Sequence, residues 1–569
     1  MLVRLSQLIW GLPLEDYVSY HGFHGSREKH GTVPRQLASA AVQRISSFAG
    51  DLEALYPMKV TQEVSLEMLH DVLIMSHDPE TYNIFLYPGL ASGCITLMTT
   101  MKNGEKASPF SYEYGYLCFR ILLFSLGATL LSRLGDHDFK QAIKMMVDPQ
   151  YDLCLLSDVF SVRVADSLID IVPMAGQEVN CNCSWILGWS HHESHPPCDR
   201  IISPERARVL IEMLWEDRAD FLKVMSRTFT PGLAVLAFLN WQYACIEKKS
   251  ANANHDLLEH TNEIHHRCLL VASTSQDNLM MRVTDQLYVL NGGKNLFQKL
   301  DDSRGTLEAY VLRLSSTNLL IYGPVPIVML STLLEFVAPN LAMDVEDLLP
   351  SVFGATLRRL WESLRGEEFN YDPLVIGVAL TFEQFKVMFK SFQERNISRP
   401  AIAKILEELF ENSFFDLIAS LFMLLHPDAE GDRMVENTNF NLIQTTKAMV
   451  DELSMATPRE LIETHFRNYA LSYIKVYYHF DQLYSCIDPK DRIEHPCPRG
   501  KHYKACLEMW ADLVVILGQD VTIMQVRQRS SVCMYKQCQD PTGLSRLGAI
   551  YACPRCFISS YCSTRCQVG

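Results

Sequence analysis

The chain has 569 residues, of which 48% are hydrophobic and 21% are charged. These values are ordinary for a globular protein and exclude intrinsic disorder as the state of most of the chain. A domain holds about 100–200 residues, so several domains fit. The net charge of −15 disfavours a general nucleic-acid-binding surface, because such surfaces carry an excess of lysine and arginine.

The first apolar stretches do not predict a leader or a membrane span. The N-terminal sequence MLVRLSQLIWGLPLEDY has a hydrophobic run too short for a secretory signal. The longest apolar stretch, LCFRILLFSLGATLLSRLGD, carries Arg120 and Arg133 and falls short of a clean span of about 20 apolar residues. We therefore expect an intracellular protein of the cytoplasm or nucleus with no membrane partner. Clustered cysteines in those compartments indicate metal ligands rather than disulfides.

We do not predict metal binding for two segments that contain histidines. The stretch CNCSWILGWSHHESHPPC offers enough ligands for zinc, but its spacing matches no zinc module, and HESH is not H-E-x-x-H. Its candidate ligands are Cys181, Cys183, His191, His192, His195 and Cys198. We interpret this segment as a polar loop. Further on, His255, His260 and His265 recur every five residues, which rotates them off a common helical face and predicts surface positions.

The body of the chain carries helical signals. In SPERARVLIEMLWEDRADFLKVM, Ser203 is a predicted N-cap, Pro204 occupies the first helical position and Glu205 lies in the first turn. An apolar face interrupted by Asp217 follows. Its residues are Leu210, Met213, Leu214, Phe221, Leu222 and Met225.

Three later segments repeat this pattern. The segment SRPAIAKILEELFENSFFDLIASLFMLLHP has helical spacing, and Thr457 with Glu460 forms a capping-box pattern at the start of TPRELIETHFRNYALSYIKVYYHF. The apolar residues after this box are Ile462, Phe466, Tyr469, Tyr473, Val476 and Phe480. A last apolar face precedes the cysteines and consists of Trp510, Leu513, Val514, Leu517, Val521 and Met524.

Strand-like alternation is scarce, so we predict a mainly α protein with a large all-helical body over residues 1–528. Packed helical hairpins are the simplest arrangement, and an α-solenoid is one form of it. No fixed-period repeat is visible that would name a solenoid class. The polar stretch HPDAEGDRMVENTN predicts a break between two lobes near residues 427–440.

The strongest motif is in the tail, where six of the 17 cysteines form three closely spaced pairs. The pairs are Cys533 with Cys538, Cys553 with Cys556, and Cys562 with Cys566. Zinc takes about four ligands in a tetrahedron, and each short-spaced pair supplies two ligands from one tight turn. The tail over residues 533–569 is therefore predicted to be a small zinc module.

The pairs CMYKQC, CPRC and YCSTRCQ occur in the order of the MYND-type zinc fingers, and the tail resembles that family. The resemblance implies a cross-braced finger with two zinc sites. One complete site would use Cys533, Cys538, Cys562 and Cys566. Cys553 and Cys556 would form half of the second site.

The family pattern closes with a short helix that contains a Trp, a His and a Cys, which do not follow Gln567 in this sequence. One explanation is that Val568 and Gly569 are the start of an intron read as protein. A transcript that runs from Gln567 into codons for Trp, His and Cys would confirm it, and a stop codon after Gly569 in spliced RNA would contradict it. As printed, the sequence predicts one complete zinc site and one half-site.

Function follows only from the resemblance. MYND fingers bind short proline-containing motifs of partner proteins, and Gln567 matches a residue of the family's peptide groove. We therefore expect a non-enzymatic protein-interaction protein, whose oligomeric state the sequence leaves open. One alternative is a RING-like ubiquitin ligase component, which needs eight ligands and usually a central histidine that CPRCFISSYC lacks. The other is a MYND-associated lysine methyltransferase of the SET-domain type. The stretch RGEEFNYDP weakly resembles one segment of a SET domain, but no N-H-S-C cofactor motif is found.

Overall fold

The computed structural model describes most of the body and four residues of the tail. The described ranges are 9–21, 35–50, 57–76, 79–105, 107–135, 153–174, 183–191, 198–249, 255–294, 302–316, 318–319, 321–341, 343–366, 371–425, 433–466, 470–485, 487, 497–517, 551–552 and 560–561. Backbone contacts divide the chain into unit 1, Met1–Val325, and unit 2, Pro326–Gly569. The prediction had placed a break near residues 427–440.

Unit 1 is helical throughout its described part. Its α-helices are α1 (Leu14–Tyr20), α2 (Arg35–Ser46), α3 (Pro57–Glu63), α4 (Leu66–Met75), α5 (Leu90–Glu105), α6 (Glu113–Leu134), α7 (Leu153–Ile169), α8 (Pro204–Glu216), α9 (Arg218–Met225), α10 (Leu233–Lys249), α11 (His255–Val271), α12 (Asp277–Leu290) and α13 (Ser303–Leu314). Short 3₁₀ turns lie at Ser47–Gly50, Pro79–Leu86, Pro109–Ser111, Cys183–Leu187 and Thr274–Gln276.

Unit 2 contains α14 (Ile327–Val337), α15 (Leu349–Arg365), α16 (Tyr371–Arg395), α17 (Arg399–Glu411), α18 (Phe414–Leu424), α19 (Arg433–Ala456), α20 (Arg459–Phe466), α21 (Ala470–Ser485) and α22 (Pro498–Ile516). Two 3₁₀ turns, Ala338–Asn340 and Met343–Val345, lie between α14 and α15. The strands β1 (Tyr551–Ala552) and β2 (Ser560–Tyr561) follow in the tail. The prediction of a large all-helical body is therefore confirmed.

The long apolar helix α6 is the centre of unit 1. It packs against α4, α5, α7 and α10, and its residues are buried on every side over most of its length. Of the described helices, α6 alone is long and apolar enough to cross a membrane by length and composition, and 72% of its apolar window is buried inside the protein. A helix that is apolar all round must be covered on all sides, and here other helices of unit 1 cover it.

A buried carboxylate at the start of α6 holds the N-terminal segment in place. Glu113 Oε1 accepts hydrogen bonds from His21 Nε2 at 3.0 Å and His70 Nε2 at 3.1 Å, and Oε2 accepts one from the Leu12 N–H at 3.4 Å. Burial raises the pKa of Glu113, but the two histidines outweigh it and lower the pKa to about 2. One ionised side chain therefore links α4, α6 and the segment around α1.

The predicted helix after Ser203 is present, but it ends at Asp217. Ser203 accepts a hydrogen bond from the Arg206 N–H at 3.3 Å, as an N-cap does. Asp217 has φ −102° and ψ 22°, outside the helical region, and its carboxylate accepts a bond from Lys102 at 2.7 Å. The predicted single apolar face is thus divided between α8 and α9.

The later helical predictions hold with similar breaks. The segment after Ser398 forms α17 and α18, and Ser413 between them has a left-handed φ of 51°. The segment after Thr457 forms α20 and α21, which bury Ile462, Phe466, Val476 and Phe480. The side chains of Tyr469 and Tyr473 lie outside the described part. The last face buries Trp510, Leu513, Val514 and Leu517, and Val521 and Met524 also lie outside the described residues.

Aromatic rings and one close helix approach organise unit 2. Phe353 of α15 contacts Phe385 and Phe389 of α16, with ring centroids 4.6 Å and 5.2 Å apart. A Cβ added at Gly377 of α16 would lie 2.7 Å from Cγ1 of Ile327, so glycine lets α14 pack closely on α16. The helix α19, which begins at Arg433, packs along α16.

The contact between α2 and α5 depends on glycine, which gives a first prediction. A Cβ at Gly93 would lie 2.1 Å from the carbonyl oxygen of Ile45, a backbone atom that cannot rotate away. We expect Gly93→Ala to force α2 and α5 apart and to lower the free energy of unfolding by about 1–3 kcal/mol. Thermal and urea unfolding measure this loss.

Gly305→Ala is the matched control for this prediction. A Cβ at Gly305, inside α13, has no atom within 4 Å. Because alanine is the better helix former, this variant should gain about 0.5–1 kcal/mol. Equal effects of the two substitutions would show that the close approach of α2 and α5 does not matter.

Candidate functional site

The six candidate zinc ligands all lie outside the described residues. The structure therefore does not place any of these ligands, which are Cys533, Cys538, Cys553, Cys556, Cys562 and Cys566. The zinc module stays a prediction from the sequence.

The described part of the tail is a small antiparallel ladder between β1 and β2. Tyr551 pairs with Tyr561, and Ala552 pairs with Ser560. The seven-residue connection 553–559 contains the C-x2-C pair, and the third pair begins directly after β2. A C-x2-C pair in the sequence between two paired strands suits a zinc knuckle, because one short segment then supplies two ligands.

The segment with the cysteines and histidines of residues 181–198 is a packed turn where it is described. Cys183, Ile186 and Leu187 are buried. Arg133 donates to the carbonyl oxygen of Ile186 at 2.6 Å, and Trp189 Nε1 donates to that of Ile202 at 2.6 Å. The interpretation as a polar loop therefore needs correction, since an apolar face anchors this turn to unit 1.

The described residues of this turn do not bring a metal-ligand set together. Cys183 is disulfide-bonded, which removes a thiolate from the candidate ligands and differs from the expectation of reduced cysteines. His191 is exposed, and Cys198 is half-buried. Across the described ranges, no group of three or more His, Cys, Asp or Glu side chains is close enough to hold a metal ion. His192, His195 and Cys181 lie outside those ranges.

The prediction of three surface histidines in α11 is correct for one of them. The side chain of His255 is 68% exposed. His260 stacks on Trp215, with ring centroids 3.6 Å apart. His265 is fully buried and bonds Thr284 Oγ1 through Nε2 at 2.8 Å. The prediction was wrong for His265 because α11 packs against α8, α9, α10, α12 and α13, so it lacks an exposed face over much of its length.

The same helix carries a buried ionic network that sequence reasoning missed. Arg267, whose side chain is 0% exposed, donates to both oxygens of Asp302 at 2.7 and 2.8 Å. It also donates to Glu263 Oε1 through Nη2 at 2.9 Å, and Arg218 Nε lies 3.1 Å from the same oxygen. We call these four residues the α11 network. The only sequence signal was the i, i+4 spacing of Glu263 and Arg267, which is equally typical of an exposed helix.

A scan of the chain against protein-family models finds no match. A search of the curated proteins finds no similar protein. The cysteine pairs of the tail and the geometry of the body are therefore the observations from which function can be argued.

The buried histidines of α11 predict that acid weakens unit 1. Burial lowers the pKa of His266 to about 4, although the carbonyl of Asn262 raises it somewhat, and burial lowers the pKa of His265 well below its usual value. Both imidazoles are then neutral in the folded state and gain protons on unfolding. Their contribution is complete above pH 6.5 and is lost as the pH falls from 6.5 towards 4.

Thermal unfolding between pH 7.5 and pH 4.5 measures this effect. A shift of this size in His266 corresponds to on the order of 3 kcal/mol. We expect His266→Gln to flatten the dependence of the unfolding temperature on pH, whatever its effect at neutral pH. His255→Gln, at the exposed start of the same helix, should leave the slope unchanged. A slope that is the same in all three proteins would contradict the assignment.

Proposed function

We propose that this chain is a zinc-binding, non-enzymatic protein-interaction protein. Its C-terminal MYND-type finger would recognise short proline-containing motifs in partner proteins. The observation that carries the proposal is the set of three short-spaced cysteine pairs in the tail. Isolated buried cysteines seldom occur at such spacings, whereas zinc modules require them.

The ladder in the tail supports dividing the pairs between two zinc sites. Ala552 and Tyr561, which precede Cys553 and Cys562, are offset by one residue in the register. The two antiparallel segments leave the ladder in opposite directions.

Two ligands of one zinc ion must lie close together, because each thiolate sulfur lies only about 2.3 Å from the metal. In the proposed finger, as the resemblance to the MYND family implies, Cys562 and Cys566 join Cys533 and Cys538 in one site. Cys553 and Cys556 belong to the other.

The chemistry of the complete site is structural. Four thiolates fill the tetrahedron and leave no position for a substrate or a reactive water, so a role in folding the tail is expected. In a module this small, metal binding supplies most of the folding free energy. The bound zinc would hold the loops in place, and the loops would present Gln567 and the neighbouring basic residues to a partner.

The charge of the tail suggests the kind of partner. The tail has four basic residues and one nearby acidic residue, Asp540. The basic residues are Lys536, Arg546, Arg555 and Arg565. The rest of the chain is acidic overall, with a net charge of −15. A proline-containing motif with acidic neighbours would therefore be attracted to the finger more than to the body.

Metal analysis of the purified full chain tests the zinc site. We expect one zinc ion per chain, its loss in Cys562→Ser, and its retention in Cys553→Ser. Cys497→Ser is the matched control, because Cys497 accepts a bond from the Gly500 N–H as the N-cap of α22, a role that serine fulfils well. Two zinc ions would mean that the half-site finds other ligands. No zinc at all would overturn the proposal.

Removal of the metal should unfold the tail and spare the helices. The body buries its own core, so a chelator should leave the helical far-UV circular dichroism and its thermal transition nearly unchanged. Limited proteolysis should then cut within the tail of the chelated protein. Loss of the helical signal together with the metal would contradict a separate zinc module.

Peptide binding tests the recognition function. A labelled proline-containing peptide with acidic neighbours should bind the full chain in a fluorescence-anisotropy titration, and Cys562→Ser should abolish binding. Gln567→Ala should weaken it by about tenfold, the loss of one well-placed hydrogen bond, and Cys497→Ser should have no effect. A single-stranded oligonucleotide that binds more tightly, with steep salt dependence, would favour a nucleic-acid finger instead.

A further inference from the structure

Unit 1 contains a cavity of 340 Å³ where three helices end. The helices α9, α11 and α13 end at Met225, Val271 and Leu314, and residues at or next to these ends line the cavity. A volume of this size lies at the lower end of the range for small-molecule sites, about 300–1,000 Å³. The cavity belongs to the helical body, far along the sequence from the cysteine pairs.

The lining is largely apolar with a few polar groups. Leu270, Val271 and Ala309 supply buried aliphatic surface, and Ser315 and Ser316 supply hydroxyl groups. Small-molecule sites typically combine an apolar wall, which provides affinity, with a few polar groups that fix the orientation of the ligand. The wall favours a hydrocarbon chain or ring.

Arg313 lines the cavity, but its guanidinium is engaged within the protein. Its side chain is 1% exposed and donates through Nη2 to the Asp277 carboxylate at 2.9 and 3.2 Å. Nη1 donates to the carbonyl oxygen of Gly323 at 3.3 Å, and the ring of Tyr322 lies 5.5 Å from the guanidinium carbon. Its Nε is buried and has no hydrogen-bond partner. Because this atom has almost no accessible surface, it does not face the cavity, and the polar interactions of Arg313 are made within the protein.

The rim carries a positive charge. Arg227 lines the cavity, and its side chain is 44% exposed. It lies 3.4 Å from Glu15, which is itself exposed and also pairs with Lys223. One carboxylate is thus shared by two cations, whereas Arg313 is neutralised by Asp277. The surplus charge at the rim is positive and favours an anionic group.

The helix ends oppose an anion, and their effect is partly compensated. A helix C-terminus has a partial negative charge that favours cations. The last turn of α9 already contains Lys223, whereas Arg313 in the last turn of α13 is neutralised by Asp277. The remaining terminus, that of α11, has no basic residue in its last turn. The full positive charge of Arg227 at the mouth therefore makes an anionic ligand the preferred one.

We propose that this cavity binds an aliphatic monocarboxylate. The hydrocarbon chain lies against Leu270, Val271 and Ala309, and the carboxylate pairs with Arg227 at the rim. Hydroxyl groups of Ser315 and Ser316 orient the same end. The function of the body would then include binding of a small amphipathic acid, independent of any partner of the finger.

Isothermal titration calorimetry of the full chain with decanoate tests the proposal. Decanol is the uncharged comparison and decylamine the cationic one, each used below the concentration at which it aggregates. We expect saturable binding of one decanoate per chain, weaker binding of decanol and the weakest binding of decylamine. Tighter binding of decylamine than of decanoate would mean that the helix ends dominate and would overturn the proposal, as would the lack of saturable decanoate binding.

Two substitutions locate the ligand. Arg227→Gln should weaken decanoate binding about tenfold, the effect of losing one charge-assisted bond, and leave decanol binding unchanged. Arg304→Gln, which removes a similarly exposed arginine (42%) from α13 that does not line the cavity, is the matched control. Equal decanoate affinities in both variants would overturn the assignment of Arg227.

Ala309→Leu fills part of the cavity and should weaken the binding of decanoate and decanol alike. Circular dichroism establishes whether this variant is folded. If it is not, the comparison of Arg227→Gln with Arg304→Gln still decides the location. If it is folded and binds decanoate as tightly as the unmodified chain, the ligand lies elsewhere and the proposal fails.

Discussion

The fully buried side chain of Arg267 is the constraint on which the packing of α9, α11 and α13 in unit 1 depends. A buried guanidinium is tolerated only when carboxylates neutralise it and hydrogen bonds satisfy its donors. Asp302 provides a two-point contact, and Glu263 provides a second charge that Arg218 shares. The network joins α9, α11 and the start of α13. Removing one member would leave an unpaired charge in the core, so these helices are held as one group.

The helices with one apolar face could be predicted from the sequence. The segments that became α8, α17, α20 and α22 each bury one side and expose the other, so a helical period is visible in their residues. The division into α8 and α9 was harder, because Asp217 ends a helix through its backbone and its bond to Lys102. Lys102 is distant in the sequence, and local pattern cannot reveal such a partner.

The helix α11 shows why other predictions failed. Its buried residues include Asn262, Glu263, His265, His266 and Arg267, a composition that normally indicates an exposed face. Burial of His265 and Arg267 is possible because they bond Thr284 and Asp302, which lie outside α11. In the tail, by contrast, the sequence alone is enough to predict a candidate site. Metal-ligand spacing is local, so the cysteines predict a zinc module without any knowledge of the body.

The α11 network and the cavity are built on the same three helices, α9, α11 and α13. Arg218 is the first residue of α9, Asp302 directly precedes α13, and Glu263 lies a little over two turns before the end of α11. All three helices then run on to the walls of the cavity. Arg267, which bonds Glu263 and Asp302, lies one turn before the end of α11. The helix ends that line the cavity are therefore held in place by the same buried charges that hold the three helices together.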